Sequence, residues 1–218
     1  MKLFLASNNA HKAAEFAALA TATTASAGAA GTARPHQPLN IFSARAAGGM
    51  PAVAEDAGTF VGNALLKARA LRAVLDAQPE TAGAWALADD SGLRVDALGG
   101  APGVESARYA GPGATDAQNL AKLVAALRGV PAEKRGAEFV CVLALIGPDG
   151  TERIFEGRCP GRLLNTPRGA AGFGYDPLFV PEGETRTFAE MDAAEKNARS
   201  HRARAWAALA AWAGSGPA

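Results

Sequence analysis

AEFVCVLALIGPDGTERIFEGRCPG, residues 137–161, decides the fold class. The opening AEFVCVLALI, 137–146, is an almost unbroken apolar run, the composition of a central strand buried on both faces. GPDG at 147–150 is a hairpin turn signal, and TERIFEGRCPG predicts a return strand antiparallel to the first. Because strands and helices alternate elsewhere in the chain, a hairpin here makes the sheet mixed rather than wholly parallel.

Working outward, KLFLA at 2–6 reads as a short buried strand, and SNNAHK at 7–12 as the turn into a helix running through roughly Leu19. Residues 21–40 are poor in large apolar groups and rich in Ala, Thr and Gly, which predicts a weak strand or loop. Residues 60–77 place Leu65, Leu66, Ala70, Leu71, Val74 and Leu75 at helical spacing, with Lys67, Arg69, Arg72 and Asp76 between them. AWALA at 84–88 predicts a short strand that delivers Asp89 and Asp90, followed by an irregular strand at 93–98 and a Gly/Pro-rich loop at 99–115. A helix is expected over 116–129, a glycine-rich aromatic loop and a short strand over 169–181, and an Ala-rich helical tail from about Ala189 to Ala213. In that tail Trp206, Leu209 and Trp212 are expected to pack inward. The sum is an α/β fold: an elongated mixed β-sheet flanked by helices, in one domain covering 1–218.

Composition narrows the function classes. Lys plus Arg number 22 against 21 for Asp plus Glu, and a net charge of +1 provides no global field to gather nucleic acid or an anionic membrane. Phosphate binding must therefore be local. Cys141 and Cys159 do not make a zinc cluster and read as reduced thiols. The start lacks the apolar core and cleavage site of a secretory signal, and no stretch approaches the length of a membrane span, so the expected compartment is the cytoplasm.

Polar residues gather in several short segments. Asp89 and Asp90 are adjacent anions; on an extended segment they point to opposite sides, which suits one to a divalent cation and the other to water. The pair equally suits a solvated strand end or a helix cap. Ser7, Asn9 and Lys12 surround a helix start, where free N–H groups, a hydroxyl, an amide and an ammonium receive phosphate oxygens; a plain helix cap is the alternative. Glu55 is a hard-cation ligand or part of an acidic turn, and Lys67 reaches an anionic pocket or snorkels. Phe173 and Tyr175 offer rings for stacking on a planar group, with Gly174 between them and Asp176 as acceptor, while Lys196, His201 and Arg202 lie within seven residues of one another. A core phenylalanine and a solvated basic helix face are the plainer meanings. Taken jointly, these groups are what a nucleoside triphosphate bound through Mg²⁺ requires. The chain has neither GxxxxGK[ST] nor GxGxxG after its first strand, and neither GxSxG nor HExxH, which argues against a P-loop ATPase, a dinucleotide-binding domain, a serine hydrolase elbow and a zincin.

LASNNAHKAAEF, TFVGNALLKAR, LADDSGLRVDALGGAPGVESARYAG, FVCVLALI, GFGYDPLFVP and EKNARSHR, in that order over nearly the whole chain, resemble the inosine triphosphate pyrophosphatase family. The resemblance implies two lobes with a central substrate cleft, a homodimer, a requirement for Mg²⁺, and hydrolysis of dITP, ITP and XTP to the monophosphate and pyrophosphate. It further implies that Ser7, Asn9, Lys12 and Lys67 bind the triphosphate, that Glu55, Asp89 and Asp90 are the metal-associated carboxylates, and that Asp90 activates water. Ser91 and Gly92 would continue a phosphate loop; Phe173, Gly174, Tyr175 and Asp176 would form the base-contact loop; Lys196, His201 and Arg202 would read the purine edge, and Arg108 would add a substrate contact. The family's Glu-Thr-Gly is replaced here by Glu55, Asp56, Ala57 and Gly58, and Gly62 stands where a Glu commonly precedes the Asn, so Asp56 competes with Glu55 as ligand. The rival expectations are a pyrophosphatase for another modified nucleotide and a non-catalytic nucleotide-binding protein.

Overall fold

In a computed structural model, residues 1–7, 9–29 and 38–215 are described. The sheet has six strands in the order β2-β1-β3-β4-β5-β6, formed by Asn40–Ser43, Lys2–Ala6, Trp85–Val95, Gly136–Ile146, Glu152–Leu163 and Phe179–Pro181 respectively. β1 runs parallel to β2, with Phe4 opposite Phe42, and parallel to β3, with Phe4 opposite Ala86. β5 and β6 are antiparallel, pairing Arg162 with Val180. β4 and β5 are neighbours joined by the turn at 147–151, where the Gly147 amide donates to the Thr151 carbonyl at 2.9 Å and Gly150 takes φ +81°. So short a connection permits only an antiparallel pair. The sheet is mixed and flanked by helices.

The helices are α1 (Ala10–Ala29), α2 (Phe60–Asp76), α3 (Asp116–Ala126), α4 (Ala193–Asn197) and α5 (His201–Gly214). The chain divides into two compact units. One comprises Met1–Asp90, Val142–Gly157 and Arg202–Ala218, and the other Ser91–Cys141 and Arg158–His201.

In the first unit, α2 starts because Thr59, in extended conformation, caps it by accepting from the Gly62 amide. Its buried face carries Asn63, Lys67, Leu71 and Leu75, each one turn after the last. Leu71 and Leu75 are fully buried, and truncating either to alanine costs about 2–5 kcal/mol. Phe16 of α1 and Trp206 of α5 pack with ring centroids 6.2 Å apart, and Trp212 meets Trp85 edge-on at 5.4 Å. In the second unit Phe139, Phe179 and Phe188 form an aromatic core with Leu93, Leu123, Leu163 and Met191.

Two expectations need correction. Residues 21–29 belong to α1 rather than to a strand or loop, and β2 forms only at Asn40; the intervening part of that expectation, 30–37, lies outside the described residues. The short strand expected at 84–88 and the start of the irregular one expected at 93–98 belong to one strand, β3, interrupted by no loop, so Ser91 and Gly92 are strand residues, while Asp96–Leu98 forms a 3-10 turn. The helical tail is present as two helices, α4 and α5, preceded by a 3-10 turn at Phe188–Glu190, with Asp192 capping α4 through the Glu195 amide.

Candidate active site

β3 carries Asp89 and Asp90 at buried positions of the first unit. Successive strand residues face opposite sides, and each acid finds its own lysine. Lys12 Nζ of α1 lies 2.5 Å from Asp89 Oδ2, and Lys67 Nζ of α2 lies 2.8 Å from Asp90 Oδ1. Lys67 also reaches Glu55 Oε2 at 3.1 Å, so one ammonium joins two carboxylates. Glu55 is half-buried and paired with Lys67, whereas Asp56 is exposed, so Glu55 is the acid that joins this cluster.

The electrostatics follow from burial against charge. Burial drives the Asp90 carboxyl up, and Lys67 and Lys12 pull it back only partly, so it stands raised to about 6. For Glu55 burial also raises, but the Lys67 charge, hydrogen bonds with Lys67 and Asp90, and Lys12 together overcome it and hold Glu55 below the usual carboxylate range. Burial acts to lower Lys67, yet the Asp90 charge and hydrogen bond, with Glu55 and Asp89, win and keep its ammonium more firmly protonated than a free lysine. Two neighbouring acids thus differ in proton affinity, the arrangement from which acid–base assignments are made.

The helix start at 7–12 is built as a cap. Asn9 Oδ1 accepts from the Lys12 amide at 3.1 Å, and Ser7 Oγ accepts from the Asn9 amide at 3.1 Å. This local geometry places Lys12 in the first turn of α1, from which its side chain meets Asp89. Sequence reasoning missed Asn63. It is fully buried one turn before Lys67; its Nδ2 donates toward Asp90 Oδ2 at 3.4 Å, and its Oδ1 accepts from the Ala57 amide at 3.1 Å. An asparagine on the apolar face of a helix, four residues from a buried lysine, was the available signal. Glu15, also missed, accepts from Arg202 Nη1 at 2.9 Å within the first unit.

The second unit holds the aromatic group. Asp176, buried, accepts from Lys196 Nζ at 2.6 Å and from the Phe173 amide at 2.9 Å, both on Oδ2. Lys196 lies 4.9 Å from the Phe173 ring centroid, a cation–π distance. Phe173 is half-buried, whereas Tyr175 is buried. Grouped with Phe173 as a stacking ring in the sequence, Tyr175 is a core residue whose hydroxyl donates to the Ser106 carbonyl at 2.8 Å, and burial pushes that phenol up. His201 is buried and lies flat on Phe139, centroids 4.8 Å and planes 10° apart. Arg108 is half-buried and forms a two-point ion pair with Glu105, at 2.6 and 3.0 Å. Gly92 is packed against the Gly103 carbonyl and Ser106, with no room for a Cβ, which explains a glycine in β3.

Among the described residues no group of three or more His, Cys, Asp and Glu side chains is gathered to hold an ion by itself. Mg²⁺ does not require such a cage, since it usually takes one or two carboxylates and leaves its other positions to phosphate oxygens and water. Glu55, Asp89 and Asp90 offer the hard oxygens it prefers, all within one unit, so the donor chemistry fits the ion. Among the described residues no helix is long and apolar enough to cross a membrane.

The model of the Ham1 family matches residues 3–212. A dITP/XTP pyrophosphatase of Opitutus terrae is 57% identical over 213 residues, covering 97% of this chain and 98% of that protein. One of Streptomyces coelicolor is 48% identical over 208 residues, covering 95% and 94%. Among solved structures, a HAM1 protein from Coxiella burnetii superposes with a TM-score of 0.79 at 37% identity, covering 97% of this chain and 98% of that one. A nucleoside-triphosphatase, dITP/XTP pyrophosphatase, from Mycobacterium abscessus gives 0.70 at 42% identity, covering 96% and 98%.

Proposed function

The chain belongs to the Ham1 family, and from that premise we propose that it is a nucleoside triphosphate pyrophosphatase acting on non-standard purine nucleotides, dITP, ITP and XTP. The products are the nucleoside monophosphate and pyrophosphate. The observation that carries the reading is Asp90: a buried carboxyl raised to about 6, held by Lys67 and next to a second acid. A base with that proton affinity is better matched to neutral pH than an ordinary aspartate.

In this reading Ser7, Asn9, Lys12 and Lys67 receive the triphosphate, and the two ammonium groups offset charge that gathers on phosphate oxygens in the transition state. Glu55, Asp89 and Asp90 would hold Mg²⁺, which when bound neutralises phosphate charge and makes water more acidic. Asp90 accepts the proton of the water that attacks the α-phosphorus, and the bond to the bridging oxygen breaks to release pyrophosphate. Asn63 keeps the Asp90 carboxylate turned toward its lysine. On the base side, within the second unit, Phe173 would stack, and Lys196 and His201 would offer donors to the purine edge. A 6-keto purine presents an acceptor to such donors, whereas adenine's amino group would leave them unpaired, at a cost of about 1–3 kcal/mol. A homodimer is part of the same proposal, and sedimentation reads it directly.

The test is steady-state release of pyrophosphate and monophosphate from ITP, XTP, ATP and GTP, with and without Mg²⁺. Similar kcat/KM for all four would sink the specificity, and no Mg²⁺-dependent pyrophosphate release would favour a non-catalytic binding protein. Asp90→Asn should lower kcat by about 10²–10⁴-fold with nucleotide binding kept.

A further inference from the structure

The segment 172–176 is fastened at more than one point, and the outermost lies outside every group assigned above. On the inside, Asp176 takes the Lys196 ammonium and the Phe173 amide. Tyr175 is tied down by its own hydroxyl at Ser106. The peptide between these two rings is held by Asp116, whose Oδ2 accepts from the Gly174 amide at 2.9 Å across 58 residues of sequence.

Asp116 is the first residue of α3, which Thr115 and Gln118 close with a reciprocal capping box. A carboxylate in a helix's first turn is favoured by the N-terminal N–H groups, and here its location is set by the helix rather than by the loop. The amide it grips is the one directly after Phe173. Because that peptide is planar, fixing its N–H fixes the plane into which the Phe173 backbone leads, and so limits how the phenyl ring leaves the chain. Gly172 and Gly174 take φ +74° and +61°, left-handed conformations open to glycine, so the backbone on both sides of Phe173 has freedom that a charge-assisted bond removes.

We propose that Asp116 is a positioning residue for the Phe173 ring, acting through the Gly174 amide, and so a determinant of affinity for the nucleotide base. The proposal rests on the reading above that Phe173 stacks on that base. Its effect falls on binding, through the Gly174 amide.

The experiment is a double-mutant cycle of Asp116→Ala and Phe173→Ala, assayed with ITP and Mg²⁺, with Asp116→Asn as the variant that keeps an acceptor oxygen. Asp116→Ala should raise KM about tenfold, the scale of one lost charge-assisted bond, with kcat within about twofold of the parent. Asp116→Asn should recover most of that loss. In the Phe173→Ala background, Asp116→Ala should add nothing, and the Gly174 amide should exchange with solvent faster in Asp116→Ala than in Asp116→Asn. The proposal is overturned if Phe173→Ala raises KM while Asp116→Ala leaves it unchanged, or if the two effects simply add. If Phe173→Ala itself leaves KM unchanged, the stacking reading fails and takes this proposal with it. Should Asp116→Ala not fold, Asp116→Gln, which moves the acceptor by one methylene, reads the same quantity.

Discussion

Lys67 and Asp90, 23 residues apart in sequence, meet at 2.8 Å in the buried part of the first unit, and the same ammonium extends to Glu55 at 3.1 Å. The acid nonetheless remains raised to about 6, because burial outweighs the lysine. Carbon-13 NMR of the metal-free protein should therefore find one aspartate titrating near 6. Lys67→Met should move it higher and Asp89→Asn lower, since the first removes an attracting charge and the second a repelling one. A midpoint in the ordinary carboxylate range, or shifts of the opposite sign, would refute this balance.

The same carboxyl leaves a signature on stability. Its folded affinity for a proton exceeds its unfolded one, so the native state keeps the proton while the unfolded chain loses it. Stability from this group is present below the unfolded value near 4 and falls as pH rises toward about 6. Asp90→Asn lacks that dependence. Between pH 4 and 7 its stability relative to the parent should improve by about 1–3 kcal/mol, as read from urea unfolding at each pH. A constant difference across that window would count against it.

Lys12→Met leaves Asp89 buried beside no ammonium from α1, and the side chain of Asp89 is fully inaccessible. Removing one partner of a buried pair costs about 3–5 kcal/mol. Thermal unfolding should show that loss, and Lys12→Arg, which keeps a cation on α1, should recover part of it. Equal losses in the two variants would mean that charge is not the cause.

Gly172→Ala forces φ +74° on a residue with a side chain and drives its Cβ into the Asp176 carboxylate. The strain is about 1–3 kcal/mol, and the carboxylate displaced is the one that holds Phe173 and Lys196. KM for ITP should rise more than kcat falls. Parent-like kinetics would show that the segment accommodates the methyl group.

Asn63→Leu keeps the helix face apolar but strands the Ala57 amide and removes a donor from Asp90. The expected cost is about 1–3 kcal/mol in denaturant unfolding. A neutral result would place Asn63 outside the network.

Much of this was legible in the sequence because its signals are local. The hairpin at 147–150, the periodic face of α2 and the apolar run of β4 each follow from neighbours in the chain. The errors share another origin. Residues 21–29 look too polar and small to hold an element, but alanine favours helix and α1 continues through them, with the Thr21 and Thr23 hydroxyls bonding back to the Ala17 and Leu19 carbonyls. Trp206, 183 residues away, donates to Thr23 at 3.0 Å. β3 looked broken because Asp, Ser and Gly are poor strand formers; distant lysines and the tight contact at Gly92 compensate. Tyr175 was read as a stacking ring since nothing adjacent to it reveals its acceptor at Ser106, 69 residues earlier. Asn63 and Asp116 went unread for the same reason, as each gains meaning only from a partner that the chain brings back from far along its length.

The stripe of Asn63, Lys67, Leu71 and Leu75 on α2 puts reactive polarity and greasy packing on one register of one helix. No slippage or rotation of α2 can spoil the first without spoiling the second. Inheritance therefore sees the two as a single trait: a lineage that loosens Leu71 also misaims Lys67, so drift at this buried leucine is policed twice, once by folding and once by turnover.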